Sequence, residues 1–89
     1  PGVGDVWGPW CGPSRAMAPM FERAAEELEP KVLLLKLNAD TAPTVSQRLG
    51  ISGIPTLLLM TNGQVISRTS GAMDTKSIVA WTRAGLGQS

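Results

Sequence analysis

The spacing of apolar and polar positions changes several times along the chain, and each change marks an element. Residues 2–7 form a short apolar run broken by Asp5, which predicts a strand weakened by Gly2 and Gly4 and poorly ordered at its start. From Ser14 to Leu28 the period becomes helical. Met17, Met20, Phe21, Ala24 and Leu28 fall three and four residues apart and build one stripe. Pro19 stands inside this pattern and predicts a kink; Pro30 predicts the helix end. Residues 31–38 contain the continuous run Val32 to Leu35, which predicts a strand covered on both faces. Lys36 interrupts that run and needs either a charged partner or a route to solvent.

Asn38 to Pro43 reads as a turn, followed by a short helix from Thr44 to Leu49 with Val45 and Leu49 on its inner face and Gly50 closing it. Thr56 to Met60 is apolar enough for a central strand. Asn62-Gly63 is a strong hairpin signal and joins that strand to another at Gln64–Thr69, where Val65 and Ile66 break clean alternation. After a loop at Ser70-Gly71-Ala72, Asp74 can cap a last helix from Thr75 to about Gly85, with Ile78, Trp81 and Thr82 inside and Leu86 continuing the stripe. The order is strand, helix, strand, short helix, strand hairpin, helix. It predicts an α/β domain over residues 1–89, with the first two strands parallel and the hairpin strands antiparallel.

Composition narrows the function. At 43% hydrophobic residues the 89-residue chain can bury a core. Its net charge is +1 with acids and bases scattered, so no basic patch points to nucleic acid. One cysteine excludes an internal disulfide framework, and the lack of histidine removes the usual zinc ligand and general base. No apolar run approaches the ~18 residues of a membrane span and nothing resembles a signal peptide, so no membrane role is expected and the cytoplasm is the default location. The chain opens on Pro1, directly into a strand, which reads as a fragment or a processed product.

The candidate chemistry is concentrated in one stretch, from Trp7 to Arg15. Cys11 lies where the strand ends and the helix begins. Backbone N–H groups at a helix start favour a thiolate, and the thiolate is the form that attacks disulfides. Pro13 suits the first helical turn, and Gly12 allows a tight bend beside the sulfur. Trp10 is an apolar neighbour placed to shade the sulfur or meet a partner. A buried structural thiol is the alternative reading, against which the helix-start position argues. Asp5, six residues earlier, would hold a neutral carboxyl if buried and could exchange protons near pH 7; the alternative is a carboxylate exposed at a frayed end.

Trp10-Cys11-Gly12-Pro13, followed by Arg15, resembles the active-site loop of the thioredoxin family, with Ser14 where the family has a second cysteine. Gly53-Ile54-Pro55-Thr56 and Asn62-Gly63 follow in the family's order, and the resemblance covers nearly the whole chain. Arg15 to Pro19 is particularly similar to bacterial second-type thioredoxins, whose N-terminal zinc module has no counterpart here. The family's first strand and helix also have no counterpart before residue 1, which opens the way to strand exchange or a dimer. The resemblance implies a thioredoxin fold, a four-stranded mixed sheet with helices on both faces.

It further implies roles. Cys11 would be the attacking thiol, Ser14 would occupy the resolving position, and Asp5 would match the aspartate that assists proton transfer, paired with Lys36. The Ile54–Pro55 bond would be cis and face Cys11. Trp10, Gly12, Pro13, Ile54, Pro55, Gly71 and Ala72 would form the substrate surface, with Trp7 supporting the loop from beneath. The partners implied are disulfide-bearing proteins, with thioredoxin reductase upstream; no cofactor or metal is implied. A hydroxyl is too weak an acid and nucleophile to resolve a mixed disulfide, so the reaction is expected to stall there. Two alternatives carry different chemistry: a single-thiol glutaredoxin-like protein that binds glutathione or an iron–sulfur cluster, and a non-catalytic binding scaffold on the same fold.

Overall fold

In the computed structural model, residues 1–41 and 43–88 are described; Ala42, within the expected turn, lies outside them. The elements in order are β1 (Gly2–Trp7), α1 (Gly12–Leu28), β2 (Leu33–Asn38), α2 (Pro43–Arg48), β3 (Thr56–Thr61), β4 (Gln64–Ser70) and α3 (Thr75–Gly85). One mixed sheet runs β2-β1-β3-β4. β1 is parallel to β2 and antiparallel to β3, and β3 is antiparallel to β4.

β1 corrects the expectation of a weak, frayed start. It is a central strand whose Val3, Asp5 and Val6 are buried. The glycines that lower its intrinsic propensity serve packing here: a Cβ at Gly4 would press on the ends of Leu37 and Met60, 3.3 Å away, so the bare backbone makes room for both. α1 begins two residues earlier than expected. Cys11 is its extended N-cap and Pro13 lies in its first turn, where a missing N–H costs nothing.

The helices flank the sheet unevenly. Val3, Leu57 and Leu59 of the sheet meet Met17, Phe21, Ala24 and Leu28 of α1 and Ile78 and Val79 of α3 in one core. Trp81, expected inside, is only partly buried against that core. The six-residue α2 begins at Pro43, one residue before the expected start, and buries none of its residues. β2 is not the doubly covered strand that its apolar run predicts. It is an edge strand whose Leu33 and Leu35 are 55% and 53% exposed. A run of leucines records apolar side chains on both faces but not whether a layer covers each face.

The hairpin follows its sequence signal. Asn62 and Gly63 both adopt left-handed backbone, with φ of 51° and 74°. The pairing shifts between Leu59↔Ser67 and Met60↔Val65, leaving one extra residue, Ile66, on β4. This bulge accounts for the broken alternation at Val65 and Ile66. Asp74 caps α3 by accepting the backbone N–H of Ser77 at 2.9 Å.

Candidate functional site

The site forms where β1 runs into α1. A tight turn after β1, closed by the Cys11 N–H to the Gly8 carbonyl at 3.1 Å, places the thiol at the helix start. Gly8 has no room for a side chain: a Cβ there would lie 2.8 Å from Ile54 Cδ1 and 3.0 Å from the Trp10 ring. Cys11 is half-buried, and its Sγ lies 3.6 Å from the Ile54 carbonyl oxygen across the chain. The Ile54–Pro55 bond is cis, as the resemblance implies. Pro55 is buried, and its carbonyl accepts the Gly71 N–H at 2.9 Å, which ties the loop after β4 to the same turn. Gly71 has φ of 103°, a conformation that suits only a residue without Cβ. Gly12, Pro13, Gly71 and Ala72 are exposed and Ile54 is half-buried.

Trp10 is 65% exposed, yet it is held. Its indole N–H donates to both carboxylate oxygens of Asp40, at 3.0 and 3.2 Å. Arg15 Nη1 donates to the Pro9 carbonyl at 2.9 Å and braces the same loop. Sequence reasoning missed Asp40 and Gly8. Asp40 is thirty residues from Trp10 in a polar turn, and nothing local distinguishes it from a solvated turn residue. Gly8 carried a usable signal, a glycine beside a proline in the tightest part of the loop.

Beneath the loop lies a buried polar group of a different kind. Ser14 is 1% exposed and belongs to the stripe of α1 that faces the sheet. Asp5 is fully buried and alternates with Val3, so it points to the same side. Neither Asp5 oxygen nor the Ser14 hydroxyl has a hydrogen-bond partner. Burial raises the Asp5 pKa from 3.8 to about 6, against the opposing pull of the Lys36 ammonium. The frayed, exposed reading of Asp5 is thereby overturned.

Lys36 is exposed, and its ammonium stands 4.4 Å from the centroid of the half-buried Trp7 ring. Lys36 thus reaches solvent and rests on an aromatic face, while acting on Asp5 through space. Among the described residues no cluster of three or more His, Cys, Asp or Glu could hold a metal ion. No helix among them is long and apolar enough to cross a membrane.

A half-buried free cysteine at a helix N-cap, set against a cis-proline turn on a β-α-β-α-β-β-α chain, is the arrangement of a thioredoxin fold. Comparison with known proteins agrees. Residues 2–84 match the Thioredoxin family. The chain is 37% identical over 86 residues to thioredoxin of Rhodospirillum rubrum, covering 97% of this chain and 83% of that protein. It is 41% identical over 69 residues to thioredoxin 1 of a Nostoc species, covering 78% of this chain and 64% of that protein. A solved structure of chloroplastic thioredoxin z superposes with a TM-score of 0.84 at 28% identity, over 97% of this chain and 78% of that one. The chain belongs to the thioredoxin family, and it spans between 64% and 83% of the length of these two curated relatives.

Proposed function

We propose that residues 1–89 act as a thioredoxin-type thiol–disulfide exchange domain that carries out the first half of the reaction and stops there. The observation that carries this is the pairing of two positions one turn apart on α1: a half-exposed Cys11 at the N-cap and a buried Ser14 in the next turn. The Cys11 thiolate attacks one sulfur of a substrate disulfide. A Cys11–substrate disulfide forms, the substrate S–S bond breaks, and the other substrate sulfur leaves as a thiolate. In a two-cysteine relative, a second thiol would then attack Cys11 and release the reduced substrate. Ser14 offers only a hydroxyl, so the mixed disulfide persists until an external thiol or a reductase of the thioredoxin reductase type attacks it.

The remaining site residues receive roles in this reading. Trp10, Gly12, Pro13, Ile54, Pro55, Gly71 and Ala72 form the surface an extended substrate chain meets, by strand-like pairing along the Ile54 backbone. Asp40 positions Trp10. Trp7 supports the loop, and Lys36 stacked on it moderates the field at Asp5. Asp5 is a proton reservoir whose family partner, a second thiol, is missing. An unpaired attacking thiol persists where thiols stay reduced, which suits the cytoplasm.

The test is intact mass after mixing the reduced chain with a disulfide-bearing protein at neutral pH. The expected product is a one-to-one adduct on Cys11 that survives without added thiol. Ser14→Cys should release it and restore multiple turnover. A folded chain that forms no adduct would overturn the redox reading in favour of a binding scaffold. Colour on reconstitution with iron and sulfide would favour the cluster-binding alternative.

A further inference from the structure

A polar cleft borders the Ile54–Pro55 turn and does not include Cys11. It has a volume of about 120 Å³ and is walled by Gly50, Ser52, Gly53, Thr56, Arg68 and Ser70. Its walls come from the loop after α2 and from the paired ends of β3 and β4, where Thr56 stands opposite Ser70. Arg68 and Ser70 alternate along β4, so both side chains leave the same face of the sheet. The cleft lies at the end of the sheet farthest from β2, and residues 50–70 supply all of it.

The charge in the cleft has one sign. Arg68 is its ionised side chain, and no Asp or Glu lines it or the neighbouring hollow that Arg68 shares with Arg48. The guanidinium is held in place. Its Nη1 donates to the carbonyl of Leu49, just past the end of α2, which leaves its other N–H groups for a further acceptor. Hydroxyls stand on the other walls. Thr56 gives its proton to the Gly53 carbonyl, so the Ser70 hydroxyl, 3.0 Å away, donates to Thr56 and is able to turn to a stronger acceptor. Ser52 adds a second hydroxyl. Neither Ser52 nor Gly53 gives its backbone N–H to a carbonyl among the described residues.

We propose that this cleft binds a phosphate group, with Arg68 as its charged anchor and the Ser52 and Ser70 hydroxyls as supporting donors. The guanidinium fork matches phosphate oxygens in pairs. Donors that converge from separate walls suit a tetrahedral group whose oxygens point in several directions. A planar carboxylate would be satisfied by the guanidinium alone and would leave the hydroxyls unused. The cleft has room for one such group and little more. Gly53 and Thr56 belong both to the cleft and to the turn that carries Ile54, whose carbonyl lies against Cys11. The site is nonetheless separate from the sulfur, and it stands whether or not the thiol reacts.

The test is a proton–nitrogen NMR titration of the 89-residue chain with inorganic phosphate, at neutral pH and constant ionic strength. The amide signals of Ser52, Gly53 and Ser70 and the side-chain N–H signal of Arg68 should shift together and saturate. Arg68→Gln should weaken binding about tenfold or more and Ser52→Ala about threefold, with circular dichroism unchanged. Ser52 is exposed in a loop, so its variant decides the matter if loss of Arg68 disturbs the fold. Phosphoserine as a second titrant distinguishes the source of the group. Tighter binding than inorganic phosphate marks a phosphate ester as the ligand, and equal or weaker binding marks the free ion; both support the site. Shifts that do not saturate, saturation at other residues, unchanged affinity in a folded Arg68→Gln chain, or acetate bound as tightly as phosphate would overturn the proposal.

Discussion

Asp5 shows how one side chain sets a pH dependence. Its folded pKa, about 6, lies above the ordinary 3.8, so between these values the folded chain holds a proton that the unfolded chain has lost. Stability therefore falls as pH rises through this window and levels off above it. Relative to the unfolded chain, folding disfavours the ionised form of Asp5 by roughly 3 kcal/mol. Urea midpoints at pH 5 and pH 7.5 should show the fall, and Asp5→Asn should remove most of the difference while raising stability at the higher pH. Trp10 offers a second test. Asp40→Ala removes the acceptor of its indole N–H. Among the three indole signals in a proton–nitrogen NMR spectrum, that of Trp10 should shift most, and adduct formation at Cys11 should slow.

At the scale of elements, α3 makes competing demands on Gly85. Alanine would favour the helix by up to about 1 kcal/mol. Its Cβ, however, would collide with Leu59 Cδ2, and Leu59 is fully buried in β3. Overpacking a core site costs about 1–3 kcal/mol, and here the obstructing atom cannot swing into solvent. Gly85→Ala should therefore lower the thermal midpoint even though propensity alone points the other way. The elements themselves were legible to different degrees. The hairpin at Asn62-Gly63 and the Asp74 cap of α3 follow from local backbone chemistry and appear where the sequence places them. β1 did not, because glycine propensity is a local term, whereas a place between two strands and beneath Leu37 and Met60 is not.

For the molecule as a whole, strands of one sheet differ widely in burial. Leu57 and Leu35 are both leucines in strands, yet Leu57 is sealed beneath α1 and α3 while Leu35 stands half in water. Leu57→Ala should cost about 2–5 kcal/mol in urea unfolding. Leu35→Ala should cost well under about 1 kcal/mol. Equal losses at the two positions would contradict the difference in exposure between the two strands.

The sequence by itself determined the order of elements, the helix-start position of Cys11, the lack of a second thiol and the loop that marks the family. All of these are short-range: a period, a cap, a turn dipeptide, a residue present or missing. Only the tertiary structure decided that Asp5 is buried without a partner, that Asp40 holds Trp10, that Lys36 rests on Trp7, and that β2 is an edge. The physical reason is common to all four. Burial, pairing and exposure depend on which surfaces meet after the chain has folded back on itself, and side chains thirty residues apart leave no periodic trace of that meeting.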